Sequence, residues 1–166
     1  MISNFDLVAE LSARGVVRVA LQAPEGLKRR LGILAGELRD AGFTVIISGD
    51  PCYGACDLDT DILQSADILV HLGHAPVDET ERVLYDIVRM DFDPEIVLSA
   101  LPFIIGKKIG LVTTVQHVHL IPLVSKILLN AGVEVIVAEG TVRTPYAGQI
   151  LGCSYESARS TGASEM

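Results

Sequence analysis

The chain has 166 residues, 49% hydrophobic and 20% charged, the length and mix of about one globular domain. Its 13 Lys and Arg against 21 Asp and Glu leave a net charge of −8. That balance argues against a broad nucleic-acid footprint, which needs a basic face to displace phosphate counterions. No run of roughly 18 uncharged apolar residues could span a bilayer, and "MISNFDLVAEL" lacks the layout of a signal peptide. The expectation is a cytoplasmic protein without membrane contact, whose partner is a small substrate or another protein. Three cysteines, an odd number, are poor material for a disulfide framework.

In chain order, "NFDLVAELSARG" spaces Phe5, Leu7, Val8 and Leu11 as a helical face and stops at Gly15. "VVRVALQ" is a short β-branched strand. "PEGLKRRLGILAGELRDAG" opens on Pro24 and Glu25 and closes on Gly42, which predicts a helix. "FTVIIS" reads as a strand buried on both faces of a parallel sheet. A short helix is expected over residues 57–65, then a strand at "DILVHLG", a fourth at "RVLYDIV" and a helix at "PEIVLSALPFI". At "GKKIGLVTT" the scheme restarts, with a strand over residues 108–113, a helix over 119–130 ended by Gly132, and a strand at "VEVIVAE". Alternation at these lengths predicts an α/β fold, with parallel-sheet units flanked by helices.

The restart is an internal repeat. "LRDAGFTVIISGD" and "LLNAGVEVIVAEG" each give a helix end, Ala-Gly, an apolar strand and a polar turn, so Gly42 and Gly132 correspond. After each second strand comes a glycine loop with a cysteine, "YGACDLDTDIL" and "LGCSYESAR", which pairs Cys56 with Cys153 and leaves Cys52 without a counterpart. We therefore expect a first domain over residues 1–105 and the N-terminal part of a homologous second over 106–166. The second unit is incomplete, stopping where a further strand should begin. The expectation is a fragment of a longer protein, or one completed by another chain.

Ligands of open α/β sheets sit beyond the carboxyl ends of the strands, where these loops converge. A cysteine ahead of a helix N-terminus is favoured as thiolate, the form that binds iron or zinc. Two thiolates complete neither a tetrahedral metal site nor an iron–sulfur cluster. A third repeat with a third cysteine would leave one iron open. The matched placement points to Cys56 and Cys153 as metal ligands, whereas Cys52 reads as a small buried neighbour. Gln22 ends a strand in "QAPEG", His74 follows one in "HLGH", and Gln116 sits with His117 and His119 in "QHVH". These are candidates to line the site, although for the "QHVH" loop a capping role is equally open. His71, inside its strand, reads as a packed residue. Tyr53 either covers a cofactor or packs. No G-x-G-x-x-G or Walker loop is present.

Together "QAPEGLK", "SGDPCYGACD", "LVHLGHAP", "LVTTVQHVH" and "GQILGCS" resemble the archaeal 2-(3-amino-3-carboxypropyl)histidine synthase family, which begins diphthamide formation on elongation factor 2. The resemblance runs in order along nearly the whole chain, but covers only the first domain and the start of the second in a family of three homologous α/β domains. It implies a 4Fe–4S cluster held by one cysteine per domain, here Cys56 and Cys153, with the third absent from this sequence. It implies S-adenosylmethionine as substrate, cleaved to a 3-amino-3-carboxypropyl radical that adds to an imidazole carbon, and a homodimer. No catalytic side chain follows from it. The alternatives are a quinolinate-synthase-like cluster enzyme, or a non-catalytic module that binds the translation factor or a partner subunit.

Overall fold

Helix α1 (Leu7–Ala13) starts where the Asp6 carboxylate accepts the Ala9 N–H at 3.1 Å, filling one of the donors a helix start leaves open. The computed structural model describes residues 6–78, 81–106 and 108–163; Phe5, assigned to this helical face, lies outside them. Strand β1 (Arg18–Gln22) follows, then a 3₁₀ turn (Glu25–Leu27) leading into α2 (Lys28–Asp40). Next come β2 (Thr44–Ile47), β3 (Ile68–Leu72) and β4 (Val83–Asp86). These strands form one four-stranded sheet in the order β2-β1-β3-β4, every pair parallel.

That order explains the burial. β3 is buried along its whole length because it has a strand on each side and cover on both faces. Val70 and Leu72 pack with Val19, Leu21 and the α1 and α2 side chains Leu11, Leu31 and Leu38. Leu69 packs with Ala20 on the opposite face, under Leu58, Ile62 and Leu63. Each such fully buried aliphatic side chain contributes about 1.5–3 kcal/mol. β2, expected to be buried on both faces, is instead an edge strand, and Ile47 keeps 43% of its surface exposed.

The expected helix over residues 57–65 is reduced to a single 3₁₀ turn, Asp61–Gln64. Its aspartates are engaged elsewhere. Asp57 accepts the Tyr53 N–H, and Asp59 accepts both the Ser48 hydroxyl and the Ile62 N–H. Such local side-chain bonds compete with helical ones.

The chain divides into two compact units, Met1–Val88 and Arg89–Met166, ahead of the boundary expected after residue 105. The segment expected to close the first domain, Pro94–Phe103, is a 3₁₀ helix interrupted by Pro102. It packs on the second unit, where Val97 and Leu101 join the cluster of Ile109, Val124 and Leu128. In this unit β5 (Lys108–Gly110) and β6 (Glu134–Ile136) pair in parallel around α3 (Ile121–Asn130). The final helix, α4 (Glu156–Ser160), lies against β5, since a Cβ at Gly110 would fall 2.7 Å from Thr161 Oγ1.

The two glycines that define the repeat do the same work. Gly42 and Gly132 have φ of 97° and 87°, and each is the left-handed residue that ends a helix. Gly42 N–H donates to the Arg39 carbonyl and Phe43 N–H to that of Leu38. Gly132 and Val133 donate in the same pattern to Leu129 and Leu128. This double bond pattern turns the chain from helix to strand in both units.

Candidate functional site

β1 lies between β2 and β3, so the sheet's direction of winding reverses between β1 and β3. Crevices in open α/β sheets form at such a point, past the carboxyl ends of the strands. Here the last residue of β1, Gln22, is in register with His71 of β3. Both side chains are fully buried, at 1% and 0% exposure.

Three hydrogen bonds settle how this pair is protonated. Gln22 Nε2 donates to the Asp57 carbonyl at 2.9 Å, and Gln22 Oε1 accepts the Asp59 N–H at 3.3 Å. The amide cannot be turned over without opposing two like groups. Gln22 Oε1 is therefore an acceptor for His71 Nδ1, 3.1 Å away, and His71 carries its proton there. His71 Nε2 is left with a lone pair and accepts from His74 Nδ1 at 2.8 Å. His74 in turn presents a lone pair at Nε2. The rings of His71 and His74 stack with centroids 5.1 Å apart, and Tyr85 closes on His71 at 5.5 Å.

Burial holds both imidazoles neutral. It is the main reason the His71 pKa falls to about 4, with neighbouring His74 lowering it further and Asp57 opposing. Burial lowers that of His74 as well. Cys52, 3% exposed, is pushed up as a thiol, chiefly by burial, and donates weakly to the Gly54 carbonyl at 3.6 Å.

Cys56 sits at the corner of a β-turn closed by the Asp57 N–H to the Gly54 carbonyl at 3.0 Å. The thiol is exposed and free. Because residues 57–60 are not helical, no helix N-terminus stands behind it, contrary to the sequence expectation. A Cβ at Gly54 would lie 3.6 Å from Cys56 Sγ, so the glycine leaves room beside the sulfur. Tyr53 is 86% exposed.

In the second unit Cys153 stands with Gly152 at the tip of a two-residue turn. Leu151 and Ser154 exchange both backbone hydrogen bonds across it, at 3.0 and 3.1 Å. This thiol too is exposed and free. Gln116 is half-buried, and its carbonyl accepts the Met90 N–H at 3.0 Å. The neighbouring histidines brace the same loop, His117 Nδ1 on the Met90 carbonyl and His119 Nε2 on the Asp91 carboxylate. Gln22, Cys56 and His74 thus belong to the first unit, Gln116 and Cys153 to the second. Sequence reasoning set aside His71 and Cys52, yet the fold groups both with His74. For His71 the available signal was a polar residue inside the otherwise continuous apolar run "ILVHL", and for its partner Gln22 the polar end of "VALQ".

Exposed cysteines on open glycine turns are the donor type an iron–sulfur cluster takes, and Cys56 and Cys153, each in its own unit, are of that type. Fold and site define a parallel α/β protein of repeated units, with thiols on loops and an imidazole pair where the first sheet reverses. Residues 23–166 match the sequence family described as "Putative diphthamide synthesis protein", and the chain belongs to that family. It is 35% identical to the 2-(3-amino-3-carboxypropyl)histidine synthase of Pyrococcus horikoshii, over 97% of this chain and 49% of that protein. It is 37% identical to subunit 1 of the synthase of Neurospora crassa, over 82% of this chain and 32% of that one. The crystal structure of Dph2 from Pyrococcus horikoshii matches with a TM-score of 0.86 at 34% identity, over 93% of this chain and 48% of that chain. The same protein with a 4Fe-4S cluster matches at 0.86 and 33%, over 92% and 47%. The expected α/β fold is the one these structures share, and the chain spans about half the length of the Pyrococcus protein. The family match favours the synthase reading over the quinolinate-synthase-like alternative. Among the described residues no helix is long and apolar enough to cross a membrane.

Proposed function

We propose that this chain forms part of an enzyme that transfers the 3-amino-3-carboxypropyl group of S-adenosylmethionine to a histidine of elongation factor 2. The observation that carries the proposal is the pair of free, exposed thiols on glycine turns, Cys56 and Cys153, in a chain whose relatives are named for this product. Cys56 and Cys153 are read as two ligands of a 4Fe–4S cluster, with a third thiolate supplied from outside this sequence. When bound, the cluster supplies the electron that breaks a carbon–sulfur bond of S-adenosylmethionine. The two units are read as homologous domains, and the working assembly as a cytoplasmic homodimer.

The chain's own side chains have simpler tasks. The turn Gly54–Asp57 holds Cys56 outward and keeps the space beside its sulfur open. Gln22 ties that loop to the sheet through Asp57 and Asp59. His74, at the exposed end of the imidazole pair, and Gln116 line the approach for S-adenosylmethionine.

Anaerobic reconstitution with iron and sulfide tests the reading. The wild-type chain should retain both elements, and Cys56→Ser or Cys153→Ser should each lower the amount retained. In an assembly that also supplies the third thiolate, S-adenosylmethionine and dithionite should yield methylthioadenosine. Retention unaffected by either substitution would overturn the assignment of these cysteines.

A further inference from the structure

Assigning Cys56 and Cys153 to the cluster leaves a second group of ligand-type side chains unused. One donor atom from each of Cys52, His71 and His74 lies within 4.8 Å of the others. Two of the three residues are buried, and His74 is half-buried, giving a path from solvent. We propose that Cys52, His71 and His74 bind one zinc-class divalent cation, with the fourth coordination position left to water.

The donor set is the first argument, since one thiolate and two imidazoles suit a borderline-soft metal, and three protein ligands with an open position is a recognised zinc arrangement. The second is the hydrogen-bonding of His71. Ligating histidines donate their other ring N–H to a carbonyl or carboxylate, which fixes the tautomer. His71 does so to Gln22 Oε1, itself locked by Asp57 and Asp59, so its Nε2 lone pair faces the cluster. The third is charge. A thiolate with a dication leaves one positive charge, and the Asp57 carboxylate is near enough to act on both Cys52 and His71.

Tetrahedral bonds of about 2.3 Å to sulfur and about 2.0 Å to nitrogen hold a sulfur and a nitrogen about 3.5 Å apart and two nitrogens about 3.3 Å apart. The two imidazole nitrogens, 2.8 Å apart across a shared proton, must therefore separate by roughly 0.5 Å when a cation replaces that proton. Cys52 loses its thiol proton. His74 shifts its proton from Nδ1 to Nε2 by exchange with water. The balance is one proton released for each cation bound. Gln22 then acts through the orientation of His71, and His74 as a ligand of the cation.

The test uses Co²⁺ on the full chain carrying Cys56→Ser and Cys153→Ser, which removes both proposed cluster ligands. One equivalent should give tetrahedral cobalt bands and a thiolate charge-transfer band, release one proton, and be displaced by Zn²⁺. Adding Cys52→Ser should abolish the charge-transfer band, and adding His74→Ala should weaken binding at least tenfold. Circular dichroism checks each variant first, and Cys52→Ala replaces a Cys52→Ser variant that does not fold. A double variant without a tetrahedral cobalt spectrum, or a charge-transfer band that survives loss of Cys52, overturns the proposal. Neither readout involves iron, sulfide or S-adenosylmethionine, so this site and the cluster reading stand or fall separately.

Discussion

Lowering the pH below neutrality should destabilise the first unit through His71. The folded environment takes the His71 pKa from 6.5 to about 4, mainly because the charged ring cannot be hydrated at 0% exposure. At neutral pH the ring is uncharged in both states, so the native contribution is complete. As pH falls below 6.5 the unfolded chain takes up a proton that the folded chain refuses, and stability drops until the folded ring protonates near pH 4. At about 1.4 kcal/mol per unit, the loss from this one group reaches about 3.5 kcal/mol. His74, shifted the same way, adds to it. Urea unfolding of metal-free protein in chelator, repeated across this range, measures the slope, and His71→Gln should flatten it. An NMR titration of the ring gives the same information without a variant. A ring pKa at or above 6.5, or a pH slope unchanged by His71→Gln, would refute the reasoning.

Asp67 governs a separate, more acidic window. Its carboxylate accepts the Arg18 and Val17 N–H groups and pairs with the Arg18 guanidinium, which holds its pKa at about 2 rather than 3.8. The stability it confers is complete above 3.8 and is lost as pH falls toward about 2; Asp67→Asn should remove that dependence in unfolding curves taken over this range. Gly73→Ala should cost about 1–3 kcal/mol in denaturant midpoint at unchanged m-value. Gly73 has φ of 105°, and a Cβ there would fall 2.6 Å from Leu27 Cδ1. The strain would be felt at His74 next in the chain, as a shifted ring resonance.

Much of the architecture could be read from alternation and caps. Gly42 and Gly132 announced both helix ends, and their matched left-handed geometry shows why the same residue recurs. The errors have physical causes. "FTVIIS" is apolar enough for a central strand, but sheet order is a tertiary property, and β2 falls at an edge. The residues after Cys56 carry helix-compatible spacing, but three aspartates within "DLDTD" and the partners Ser48 and Tyr53 draw the backbone into turns. The loops of Gln22 and His74 were legible as strand ends. Their connection through His71 was not, because it depends on β1 and β3 being neighbours across the reversal of the sheet.

The amide of Gln22 also bears on how the Cys56 loop can move. Between β2 and the 3₁₀ turn at Asp61 the chain has no ladder of its own, the usual condition for cheap local opening. Yet Gln22 reaches up from the floor of the sheet and holds two successive points of that loop, at Asp57 and Asp59. To swing the loop outward, the molecule must strip a buried amide of both bonds where water cannot replace them. Amide exchange at Asp59 should then report on the opening of the sheet end, and a segment that looks like a free surface loop would breathe with the core.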